Sequence, residues 1–298
     1  NGSLRGADGG ASADNNFLTA GVLADNTVSY AELAAIDALA IGIDGTTAII
    51  DLYGRDFHLP TGATLNLGDA AFGVIDTVVI RTNLSGDVIR IDGTVVTART
   101  GNLGPTLQLI TMNNTAAALT INGTINANGA TGQNGGTFAA IANSGHIVLN
   151  GSITSRGSNA AAGLDGGLVQ LIAAQGDIRV AAGQFVAHGG TGTTDGGDGG
   201  AFQGFASSIV SNSTFNWGFA ANGGSAGSGT GGEGGQFALD GGDWLSLFAP
   251  VQLDGGDSTT GAGGSGGVAG QSASTTTGVL QIQANGGSGA APRGASGE

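Results

Sequence analysis

The sequence predicts an all-β fold: a single-stranded parallel β-helix, or β-solenoid, of about eight three-strand coils. Three observations predict it. First, a glycine-rich unit of roughly 29 to 35 residues recurs along most of the chain. From Gly135 it reads GGTFAAIA, then GHIVLNGSITSRG, then a polar glycine run ending at Gly167; it restarts as GGLVQLIAA, GGAFQGFAS, GGQFALDGG and GGVAGQSAS. Second, short segments inside each unit alternate apolar with polar or small residues, the period of a strand with one buried face. Third, Gly, Asn and Asp stand between those segments, where corners need tight bends. A unit that cannot bury its apolar face alone must stack on its neighbours.

The elements follow in order. Residues 1–26 open with NGSLRGADGGASADNN, small and polar, and read as an extended or poorly ordered arm. Residues 27–45 read as a short helical cap. Thr27 or Ser29 can N-cap it, Glu32 lies in its first turn, and Leu33, Ile36, Leu39 and Ala40 recur at helical spacing. Such a helix would cover the apolar end of the first coil and block its open edge. Residues 46–289 read as the β-helix, with coils starting near Thr46, Thr77, Thr106, Thr137, Leu168, Ala201, Gln236 and Val268. Stacking at about 4.8 Å per coil gives a rod roughly 38 Å long. Residues 290–298 read as a tail, too small and polar to cover an apolar coil. The chain starts at Asn1 without Met, as in a processed or trimmed chain.

Stacking also predicts internal ladders. Phe138, Val169, Phe202, Phe237 and Ala269 occupy matching positions, as do Ile147 and Ile178, and Ile153, Phe185, Phe215 and Val251 a strand later. The long runs Ser158–Gly167, Gly189–Gly200, Gly223–Gly235 and Gly255–Gly267 fall at one register and should project from one edge of the rod. Two states are open to them: mobile loops, or extended polyproline-II-like strands that pack closely because no Cβ intervenes.

This grammar resembles the right-handed parallel β-helices of secreted bacterial surface proteins, of the filamentous-haemagglutinin-like adhesin and autotransporter-passenger type. The resemblance covers residues 46–289 and implies a right-handed coil and an extracellular, cell-surface setting.

Composition bounds the function. The chain has 298 residues, with Gly 61, Pro 4 and no Cys, so disulfides and thiolate metal sites are excluded. The eight basic residues are all Arg, against 22 acidic ones, for a formal net charge of −14. Such a surface repels phosphate backbones and anionic lipid, and no apolar run reaches the length of a membrane span. Neither nucleic-acid binding nor membrane insertion is expected.

No catalytic, cofactor-binding or metal-binding residue stands out. The β-helix lyase and hydrolase reading needs paired carboxylates on neighbouring coils. Asp51, Asp56, Asp76, Asp87 and Asp92 are the candidates, with Arg55, Arg81 and Arg90 nearby. Alternation turns Arg90 and Asp92 outward and Ile89 and Ile91 inward, which reads as an ion pair on a solvated face. His58, His146 and His188 lie in different coils without metal-ligand spacing, and the glycine runs lack the Lys-Ser/Thr of a phosphate loop. Calcium is the one ion the residues admit. Asp195 with Asp198, Asp240 with Asp243, and Asp254 with Asp257 stand three apart, and stacking could align Asp198, Glu233 and Asp257. Trp217, Phe219, Trp244 and Phe248 form an aromatic cluster that reads as core before it reads as a sugar-stacking surface.

The expectation is therefore a non-enzymatic structural subunit of an extracellular fibre or layer, associating with itself head to tail through coil ends and terminal arms. A fragment of a longer repeat protein would account for a bare end equally. The alternatives are an adhesin or glycan-binding module that contacts surface glycans, and a polysaccharide lyase or hydrolase.

Overall fold

The computed structural model describes residues 27–28, 41–44, 46–51, 56–68, 75–82, 87–101, 103–112, 118–211, 217–246, 249–277 and 280–290. These residues form an all-β parallel β-solenoid with no helix among them. Two strands precede the first coil, β1 (Thr27–Val28) and β2 (Ile41–Asp44). The lower coils follow as β3 (Thr47–Asp51), β4 (Phe57–Leu59) and β5 (Thr64–Asn66), then β6 (Thr77–Arg81), β7 (Ile89–Ile91) and β8 (Thr94–Val96), then β9 (Thr106–Thr111), β10 (Leu119–Ile121) and β11 (Thr124–Asn126). In the middle stand β12 (Thr137–Ala142), β13 (Ile147–Leu149), β14 (Ser152–Thr154), β15 (Leu168–Val180), β16 (Gly183–Val186), β17 (Ala201–Ser211) and β18 (Trp217–Ala220). The last are β19 (Gln236–Asp240), β20 (Trp244–Ser246), β21 (Ala249–Gln252), β22 (Val268–Ser272), β23 (Thr275–Thr277) and β24 (Leu280–Gln283).

Three ladders run along the axis. The first-strand ladder is β3-β6-β9-β12-β15-β17-β19-β22, and every step in it is parallel. Its inner about six turns, opened by β6, β9, β12, β15, β17 and β19, have a parallel coil on both sides. The second-strand ladder is β4-β7-β10-β13, continuing into the far halves of β15 and β17 and on to β20 and β23. The third-strand ladder is β1-β5-β8-β11-β14-β16-β18-β21-β24.

Alternation decides which side chains meet. In β9 the burial pattern swaps residue by residue, so Leu107 and Leu109 point into the coil while Gln108 and Ile110 do not. Register then aligns like with like: Phe138 pairs with Val169, Val169 with Phe202, Phe202 with Phe237, and Phe237 with Ala269, the expected ladder. Ile147 stands beside Ile178. In the late coils the ladders converge on an aromatic seam. Phe202 lies 4.9 Å from Phe185, 5.5 Å from Phe219 and 5.5 Å from Phe237 between ring centroids. All four rings are buried, and such pairs add about 0.5–1.5 kcal/mol beyond area burial.

Two expectations need correction. The third-strand ladder runs Ile153, Phe185, Phe219, Val251, so Phe219 takes the place read for Phe215. The stretch between β17 and β18 holds the extra residues of this coil, which shifts the inward position four residues on; Phe215 itself lies outside the described residues. The helix read over residues 27–45 does not start at Thr27, because Thr27 and Val28 pair in parallel with Thr64 and Leu65. Ile41–Asp44, at its other end, folds back antiparallel on Thr47–Ile50. Strands thus occupy the outer edges of β5 and β3. Residues 29–40 lie outside the described residues.

Candidate functional site

Three surfaces carry polar chemistry. The first is the column of glycine runs. Hydrogen bonds link the outgoing and returning legs of successive coils in one unbroken series: Gly190 N–H to Leu164, Gly197 to Gly190, Gly224 to Gly197, Gly232 to Gly224, Gly256 to Gly232, Gly264 to Gly256 and Gly287 to Gly264. Each leg also bonds its equivalent in the next coil, as Gly189 N–H does to Asn222 O and Gly199 N–H to Glu233 O. Glycine is required by approach, not by φ. A Cβ on Gly197 would collide with the Leu164 carbonyl, and one on Gly232 with the Gly197 carbonyl, while neither glycine has a left-handed φ.

Acidic and amide side chains lock the same column. Asp165 Oδ1 accepts from Asp198 N–H (2.9 Å) and Asp198 Oδ1 from Glu233 N–H (2.8 Å). Asp195 Oδ1 accepts from Thr230 N–H (2.9 Å), and Asp257 Oδ1 from Ser288 N–H (2.6 Å), which lowers the Asp257 pKa. Asp198 and Glu233 therefore share a column, as expected. Asp257 belongs to a different one, since Ala226 N–H bonds Asp257 O, whereas Gly234 N–H bonds Ser265 O in the rung above Glu233. The three acids read together from the sequence are not brought together, and no group of three or more ligating side chains occurs among the described residues.

The second surface is the outer face of the second-strand ladder. Asp92 accepts from Asn122 Nδ2 (2.6 Å) and Arg90 Nε (2.7 Å), and meets His58 Nε2 at 2.8 Å. Burial opposes its ionisation; the hydrogen bonds from Asn122, His58 and Arg90, with the Arg90 charge, outweigh it and hold its pKa below the ordinary aspartate value. Ile89 and Ile91 are buried and Arg90 is exposed, as alternation requires. His146 Nδ1 accepts the Asp177 N–H (2.8 Å), so its proton sits on Nε2 and the Arg179 guanidinium at 3.3 Å is a neighbour rather than a donor. Asp56, a candidate carboxylate one coil below, caps Val88 N–H at 2.8 Å. It stands one strand length from the Asp92 end, on the order of 13 Å, beyond the span of a glycosidase pair. Asp87 is buried, Asp76 exposed, Asp51 registers beside Arg81, and Arg55 lies outside the described residues.

The third surface is the last coil. Among the described residues β22, β23 and β24 each have one strand neighbour, β19, β20 and β21, and an open opposite edge. The lining thins there: Ala269 and Gln271 stand over Phe237 and Leu239, and Ile282, over the buried Val251, is 48 % exposed.

The sequence reading missed what the histidines do. His188 Nδ1 accepts Asn222 N–H at 3.0 Å, the role Asn128 plays for Arg156, Asn222 for Asp254 and Asp254 for Asn285. One histidine among Asn and Asp at a fixed register was the available signal. Of the aromatic cluster, Phe219 is core; the side chains of Trp217 and Trp244 and the whole of Phe248 lie outside the described residues.

Comparison with protein-family models, with curated proteins and with solved structures returned no match. The fold defines the class, a parallel β-solenoid, and no family follows from it.

Proposed function

We propose that this chain is a non-enzymatic structural subunit of an extracellular or cell-surface fibre or layer, extending by head-to-tail contact between coil ends. Counting one coil for each rung of the first-strand ladder makes eight, with the glycine legs as a stiffening column along one edge. What supports the reading is the rung at β22–β24, which among the described residues has no strand on its far side and whose backbone donors and acceptors match the pairing used by the rungs beneath it. The polar side chains elsewhere support it. Asp56, Asp92, Asp195, Asp198 and His188 are engaged in coil-to-coil hydrogen bonds that tie successive rungs together.

The test is assembly against concentration, read by light scattering and negative-stain microscopy. Wild-type chain gives rods of graded length. Ile282→Glu, which puts a charge on the exposed rung without disturbing a buried one, gives single short rods. Single rods from wild type at every concentration would sink the proposal.

A further inference from the structure

The column Asn128, Arg156, His188, Asn222, Asp254 has a consistent job. Each side chain except Arg156 accepts the backbone N–H of the next coil. A guanidinium has no acceptor, so Arg156 breaks the ladder at its own rung. Among the described residues its side chain makes no hydrogen bond or ion pair, while its backbone N–H bonds Asn128 and its carbonyl accepts from Gly129 N–H. Arg156 is exposed and, among the described residues, pairs with no carboxylate, so in a chain of net charge −14 its charge is left available to a ligand.

Arg156 lines a groove of about 310 Å³ on the outer face of the third-strand ladder. The groove exists because of two small residues. Gln184 registers with Gly218, a Cβ on Gly218 would press on the Pro250 ring of the next coil, and Val186 registers with Ala220 and Ala220 with Gln252. Gly218 and Ala220 form a low floor between the taller side chains of the coils on either side. Gln184 and Gln252 stand at its walls, Pro250 offers an apolar ring, and His188 closes the end beside Arg156. Among the described residues no acidic side chain lines it. Burial, and then the Arg156 charge, lower the His188 pKa, which places the guanidinium close enough to be felt there.

We infer that this groove binds a carboxylated pyranose within an acidic polysaccharide. Arg156 offers the planar fork that suits a carboxylate, the two glutamine amides offer donors and acceptors for ring hydroxyls, and the proline ring faces the apolar side of the sugar. The volume lies at the small end of ligand sites, enough for one residue of a longer chain running across an open face. An extended peptide is a poorer fit, since the strands beneath the groove have both edges paired and offer no strand-addition site.

The test is calorimetric titration of the full chain, at physiological ionic strength, with a hexasaccharide of alternating glucuronate and N-acetylglucosamine. Acetate and the carboxyl-reduced hexasaccharide separate charge alone and sugar alone. The expected result is binding by the acidic hexasaccharide, weakened about tenfold or more by carboxyl reduction and by Arg156→Asn. Arg156→Asn restores the acceptor used at Asn128 and Asn222, so it melts no lower than wild type; lost binding then cannot be charged to lost fold. Ala220→Leu fills the floor and abolishes binding at an unchanged circular-dichroism spectrum. Equal binding by Arg156→Asn, equal binding of the carboxyl-reduced sugar, or no binding by wild type overturns the inference. None of these outcomes depends on whether the chain forms fibres.

Discussion

His188 holds its place in the ladder only while Nδ1 is free to accept from Asn222. Burial and the nearby Arg156 charge keep its pKa below the ordinary histidine value. Below pH about 6.5 the unfolded chain therefore takes up a proton that the folded chain resists. Stability contributed here is complete above that pH and falls as pH drops towards the folded pKa. Asparagine at this position supplies the same acceptor without titrating. His188→Asn should match wild type at pH 7 and show a flatter fall in urea midpoint between about pH 6.5 and 5. His58 and His146 are common to both proteins and cancel in the difference. The glycines divide just as sharply. Gly197→Ala forces a methyl into the Leu164 carbonyl and should cost about 2–4 kcal/mol, read from the denaturant midpoint. Gly270, with nothing within 4 Å of an added Cβ, should accept alanine with no loss or a gain of about 0.5 kcal/mol.

At the scale of the element, a strand of three to six residues is too short to be stable alone; the ladder is the stable unit. The late aromatic seam shows how ladders on different faces cooperate. Phe202 belongs to the first-strand ladder, yet it meets Phe185 and Phe219 of the third across the coil interior. Phe202→Ala should cost about 3–5 kcal/mol, measured by urea unfolding, because three ring contacts and the filled volume go together. Phe205, three residues on and 40 % exposed, points outward and should lose little on the same change. Alternation made that difference legible from FQGF alone. The helical spacing of Leu33, Ile36 and Leu39 lies outside the described residues, and the correction concerns the two ends read into the same helix. Thr27–Val28 pairs instead with Thr64–Leu65, because an open strand edge satisfies two backbone partners at once. The Phe215 misplacement has a similar origin: a corner of uncertain length leaves parity intact but not position.

Across the whole molecule, charge and edges oppose each other. A net charge of −14 repels a second copy, while the rung at β22–β24, open among the described residues, would attract one under the proposed head-to-tail contact. Adding monovalent salt should therefore lengthen the rods of the wild-type assembly assay and leave Ile282→Glu short, since screening removes the repulsion but does not restore a dry rung. The groove at Arg156 is carried by the same scaffold on a side face, so a fibre would display it once per subunit.

Sequence alone set the solenoid and the inward residues of the first-strand ladder, because a period-two pattern repeated every thirty or so residues has one economical burial, whereas the third-strand position read for Phe215 fell to Phe219. It also supplied every residue of the groove, without any sign that they meet. Arg156, Gln184, Gly218 and Pro250 come from four successive coils, and nothing local to any of them distinguishes a corner residue from a binding one. Only the stacked register reveals that an arginine stands where acceptors are needed, beside a floor of small residues. Contacts of that kind are set by what lies one rung away, and a linear pattern records only what lies along the chain.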